Sequence, residues 1–102
     1  MNPVRGNQFY YVYVLRSLKT GLLYTGFTSD LRERLREHNS NLSRYTKNRG
    51  PFELIYYEAS RSQKDASVRE KYLKTGMGKR YLKNRLKRSL PLTGWKQKHK
   101  KK

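Results

Sequence analysis

Arg34 and His38 stand four residues apart in a stretch running from Leu31 to His38. At about 100° per residue, a helix here points Leu31 and Leu35 the same way and carries Arg34 and His38 on that leucine side. Arg32, Glu33, Arg36 and Glu37 turn outward. A guanidinium can hold the non-bridging oxygens of a phosphate in its planar donor fork. An imidazole can help a hydroxyl to lose its proton. Facing a core, both groups are costly without partners. The plain alternative is that both sit at the rim of the apolar stripe and reach outward. Glu70 is the second polar group out of place, because Ala66, Glu70 and Leu73 share one face of a later helix. On structural grounds alone it reads as an ion pair with a neighbouring arginine.

The elements that must position these groups follow from periodicity and turn chemistry. Phe9–Ser17 and Leu22–Phe27 alternate with β-branched and aromatic residues around Leu18-Lys19-Thr20-Gly21, which predicts a hairpin. Tyr11, Tyr13 and Leu15 then share one face. Ser29 or Asp30, the latter with Glu33 three residues on, starts the first helix, which ends near Asn39. Residues 39–51 are rich in Asn, Ser, Arg and Gly and read as a loop. Phe52–Glu58 is a third strand, nearly continuous in apolar character, as in a strand covered on both faces. Ser62, with Asp65 at the third position, starts a second helix that runs to about Thr75, with Gly76 as its stop. A third helix is expected over Gly78–Ser89, with Leu82 and Leu86 inward and Pro91 beyond it.

Tyr11-Val12-Tyr13, then Tyr24-Thr25-Gly26, then Arg34 and His38, resemble the core of the GIY-YIG endonuclease superfamily. Tyr13 and Tyr24 are eleven residues apart, and Arg34 lies ten after Tyr24, as in that family. Tyr11-Val12 stands where the family name has Gly-Ile, and Thr25 where it has Ile. The resemblance extends over Phe9–Leu86. It implies an α+β fold in the order β-β-α-β-α-α, a small three-stranded, mainly antiparallel sheet flanked by helices. It also implies hydrolysis of DNA phosphodiester bonds with Mg²⁺ or Mn²⁺.

The resemblance further implies roles. Glu70, in Ala66-Ser67-Val68-Arg69-Glu70, takes the place of the metal-ligating glutamate. Mg²⁺ suits a carboxylate oxygen and keeps several waters. Arg34 would steady the phosphate, and Tyr13 would orient or deprotonate the attacking water. A free tyrosine has a pKa of ~10, so it needs a metal, a cation or a histidine to act as a base. His38 is the expected helper, through a hydrogen bond to a tyrosine. Tyr24 would position phosphate or water. Asn84 matches the family's late asparagine in spacing, though it lies off the apolar stripe of its helix. Hairpin, first helix and second helix would converge on one concave surface. Without the resemblance, Tyr13 and Tyr24 read as packing residues, since two well-spaced tyrosines among nine are a weak signal.

Charge points to the partner. Twenty-five basic residues face seven acidic ones, for a net charge of +18, and thirteen of the basic residues follow Glu70, the last acidic one. Such density is an electrostatic footprint for nucleic acid. The expected contacts are Arg44, Tyr45, Lys47 and Arg49 in the loop, Lys79, Arg80 and Lys83 on the last helix, and Lys96 and Lys98 in the tail. The loop also reads as a solvated segment with its tyrosine tucked inward. The expected partner is duplex or branched DNA, with RNA also compatible, and neither a membrane nor a small-molecule cofactor is expected. Cysteine is absent, which excludes disulfides and thiolate metal sites and fits a cytoplasmic location. Residues 1–95 read as one domain and 96–102 as a basic tail without structure of its own. Besides the endonuclease, a non-catalytic nucleic-acid-binding module on the same fold satisfies the basic surface, and so does a small RNA-associated protein.

Overall fold

A computed structural model describes residues 8–44 and 46–88 of the chain. The elements are β1 (Tyr10–Ser17), β2 (Leu23–Thr28), α1 (Leu31–Asn39), β3 (Phe52–Ser60), α2 (Gln63–Leu73) and α3 (Gly76–Arg85). This is the α+β order expected from sequence. The sheet has three strands in the order β2-β1-β3, and both pairings are antiparallel. The hairpin turn closes with Ser17 N–H donating to the Leu22 carbonyl at 2.9 Å. Gly21 takes φ 80° there, a left-handed conformation that favours a residue with no Cβ.

Central β1 divides two cores. Val12 and Val14 point to one face, where they meet Ala66 and Leu73 of α2, Leu82 of α3 and Leu86. Tyr13 and Leu15 point to the other, with Tyr24 and Phe52, and are covered by Leu31 and Leu35 of α1 and by Leu54. The pairing of β1 with β3 shifts between Val14 and Leu15, where Val14 faces Tyr56 and Leu15 faces Leu54. Ile55 is therefore an extra residue, a bulge, which accounts for the weak alternation of that strand in sequence.

The helix starts follow their caps. Asp30 accepts the Glu33 N–H at 3.0 Å, and the Ser62 hydroxyl accepts the Asp65 N–H at 3.1 Å. The expected stop at Gly76 does not hold. Thr75 Oγ1 accepts the Gly78 N–H at 3.1 Å, so threonine caps α3 and Gly76 becomes its first residue. The third helix thus starts two residues before its expected start at Gly78. It ends at Arg85, short of the expected Ser89, which lies outside the described residues. Leu82 and Leu86 do point inward. No helix among the described residues is long and apolar enough to cross a membrane.

Candidate functional site

Tyr13 is buried on the α1 side of the sheet, opposite Gly26 on β2 and Tyr57 on β3. A Cβ built on Gly26 would lie 2.6 Å from Tyr13 Cζ and closer still to Oη. The phenol occupies the space a side chain at residue 26 would need, so this strand position requires glycine. Tyr24 is buried on the same sheet face, opposite Leu15, with its ring edge-on to Phe52 at 5.5 Å between centroids.

Helix α1 delivers Arg34 and His38 to the Tyr13 hydroxyl. His38 is 1% exposed, which rules out the rim position for it. Its Nε2 lies 2.9 Å from Tyr13 Oη, and its Nδ1 lies 2.5 Å from Oγ1 of Thr46, itself fully buried. Arg34 stays half-exposed at the rim. Its Nε donates to Tyr13 Oη over a long 3.4 Å, and its Nη1 donates to Glu37 Oε1 at 2.7 Å. Its Nη2 has no partner among the described residues.

Burial, and next the positive charge of Arg34, push the His38 pKa below the usual imidazole value against the opposing pull of Glu37. The ring is therefore neutral near pH 7, with one N–H and one lone pair. Of the two tautomers, the one with its N–H on Nδ1 lets Nδ1 donate to Thr46 and Nε2 accept from the phenol, and Arg34 donates to the Tyr13 oxygen in either. The result is a chain Thr46–His38–Tyr13–Arg34, with a proton acceptor and a cation on one phenol.

The remaining expected site residues are Glu70 and Asn84. Glu70 lies on helix α2, whose Ala66 and Leu73 pack on the sheet face opposite the phenol. Its side chain is 14% exposed and its Oε2 pairs with Lys74 Nζ at 2.7 Å. The expected arginine partner is thus a lysine on the same helix. Asn84 is exposed on α3, which packs on that same far face, and makes no hydrogen bond among the described residues.

These groups limit how a metal could be held. No three His, Cys, Asp or Glu side chains come together among the described residues. A protein-caged ion does not fit. One carboxylate fits Mg²⁺ whose remaining ligands are substrate oxygens and water, provided that Lys74 gives way.

Arg44, Lys47 and Arg49 are exposed on the loop before β3, and Lys79, Arg80 and Lys83 are exposed on α3. Tyr45, Lys96 and Lys98 lie outside the described residues. Two residues at the Tyr13 site have no role assigned from sequence, although Gly26 belongs to the Tyr24-Thr25-Gly26 motif. Gly26 carried a signal, since glycine inside a strand marks close approach. Thr46 carried none: it sits in an aperiodic loop, eight residues beyond its partner.

A family model described as the GIY-YIG catalytic domain matches residues 9–88. A UPF0213 protein of Clostridium perfringens is 42% identical over 65 residues, covering 63% of this chain and 69% of its own length. A UPF0213 protein of Haloquadratum walsbyi is 36% identical over 70 residues, covering 68% of this chain and 78% of its own. The solution NMR structure of a UPF0213 protein from Bacillus halodurans is 36% identical, covers 72% of this chain and 81% of its own, and superposes with a TM-score of 0.47.

Proposed function

The chain belongs to the GIY-YIG catalytic domain family, and from that premise we propose that it is a Mg²⁺-dependent DNA endonuclease of the cytoplasm. The observation that carries this reading is the hydrogen-bonded chain from Thr46 through His38 to the Tyr13 phenol, with Arg34 beside it. Neutral His38 accepts the phenolic proton. Tyr13, with Arg34 favouring its negative form, then orients water toward phosphorus and takes its proton. The free Nη2 donors of Arg34 hold the non-bridging oxygens, where charge develops. When bound at Glu70, Mg²⁺ supplies positive charge to the phosphate oxygens and the leaving group.

The ion pair of Glu70 favours a second reading. A carboxylate already paired with Lys74 suits a nucleic-acid-binding module that retains the fold without turnover. A cleavage panel separates the two. Duplex, branched and single-stranded DNA, and RNA, are incubated with Mg²⁺, with Mn²⁺ and with chelator. Metal-dependent nicking that disappears in the Tyr13→Phe protein supports the endonuclease. Binding to every substrate without any nicking supports the module.

A further inference from the structure

Tyr57 lies opposite Tyr13 in the pairing of β1 with β3, and Tyr11 lies two residues before Tyr13 on the same face. The Tyr11 and Tyr57 rings meet edge to face, with centroids 6.0 Å apart. Tyr57 is 53% exposed, although burial of an aromatic ring is strongly favourable. Both rings line an open cavity of about 620 Å³ between the sheet and the start of α1. Leu31, Leu35 and Leu54 form its apolar wall, and Arg32 stands at its side. Arg32 is exposed and forms no ion pair among the described residues, although Asp30 lines the same cavity.

The volume is that of a small-ligand cleft. Two tyrosines, an apolar wall and an unpaired guanidinium suit a flat aromatic ring attached to a phosphate. Tyrosine faces stack on nucleobases of any sequence, and the guanidinium meets the adjoining phosphate. The net charge of +18 selects nucleic acid over a neutral ligand or a second, equally cationic copy of the chain. A base stacked within a duplex has both faces covered and its edge paired, and cannot enter. An unpaired base can. Its phosphate would then lie one strand repeat from Tyr13, since same-face side chains on a strand are about 6.6 Å apart.

We infer that the Tyr11–Tyr57 cavity receives an unpaired nucleobase beside the Tyr13 site, so that the substrate is single-stranded, frayed or base-flipped nucleic acid rather than continuous duplex. This deepens the endonuclease reading and rests on it for the reacting phosphate, but the binding contrast needs no chemistry.

The test uses the full chain in chelator, with an oligonucleotide carrying 2-aminopurine, offered single-stranded and annealed to its complement. The Tyr57→Ala protein should bind the single strand about tenfold more weakly, the lower range for one lost stacking partner, and the duplex as the parent does. Emission of 2-aminopurine should be quenched by the parent and by Tyr57→Phe, and less by Tyr57→Ala. Arg32→Gln should weaken single-strand binding without restoring emission. Equal losses on both substrates, no loss on either, or a dimer dissolved by Tyr57→Ala in sedimentation would each overturn the assignment. Retained contrast with no cleavage in Mg²⁺ would sink only the endonuclease reading.

Discussion

Tyr13 Oη and His38 Nε2 lie 2.9 Å apart, joined across 25 residues of sequence and held from below by Gly26 and from behind by Thr46. The pair makes the phenol a group that can lose its proton locally. Each support can be removed singly.

Gly26→Ala puts a methyl group where the Tyr13 phenol lies. The ring or the strand must shift, which disturbs the contact of the phenol with His38. Stability should fall by about 1–3 kcal/mol, as for other overpacked cores. Cleavage should fall by about 100-fold or more, since small displacements of reacting groups have that effect. Thermal melts and single-turnover rates measure both, and a fully active alanine protein would show that Tyr13 does not act from this position.

Thr46→Val keeps shape and leaves the Nδ1–H of His38 buried without an acceptor, at a cost of about 1–3 kcal/mol. With the ring free to change tautomer, cleavage should drop by up to about 100-fold, the range of general-base contributions. Thr46→Ser should restore it. If serine and valine behave alike, the hydroxyl does not position the ring.

The depressed pKa of His38 fixes a sign. The unfolded chain takes up the imidazole proton first as pH falls. Stability contributed by neutral His38 is therefore complete above about pH 6.5 and is lost as pH falls from there through the lower folded value. Melting temperature should decline between about pH 7 and pH 5, less steeply in His38→Gln. The acid limb of the cleavage rate should also lie below the ordinary imidazole value, and a limb above it would contradict the buried, neutral ring.

Much of this arrangement is legible in the chain. Alternation places Tyr11, Tyr13 and Leu15 on one face, and the Asp30–Glu33 and Ser62–Asp65 spacings locate two helix starts. Gly76 misleads because a threonine one residue earlier offers a better cap than glycine offers a stop. The face on which each helix packs is the larger gap. Periodicity shows that α1 and α2 each bury a stripe but not that they bury it on opposite sides of β1. Lys74 as the partner of Glu70 follows from i,i+4 spacing, and the expectation of an arginine overlooked it.

Glu70→Gln tests the metal-ligand role of that carboxylate. The Lys74 partner is about half exposed, so the pair contributes no more than about 0.5 kcal/mol and the melting temperature should hardly change. Binding in chelator should persist or tighten with one carboxylate gone. Mg²⁺-dependent cleavage should collapse if the carboxylate holds the ion. Undiminished cleavage in a folded Glu70→Gln protein would refute its assignment as metal ligand.

The division of the interior by β1 also bears on how activity can be lost. β1 is hydrogen-bonded along both edges and covered on both faces, whereas α1 is nine residues long and packs on one face only. Cooperative opening of α1 and the loop after it would carry away Arg34, His38 and Thr46 together and leave the β1–α2–α3 half standing. Amide protection should accordingly be graded, with β1 exchanging last and α1 early. Fluctuations far short of global unfolding would then switch the phenol off, so heat inactivation should precede the melting of the sheet.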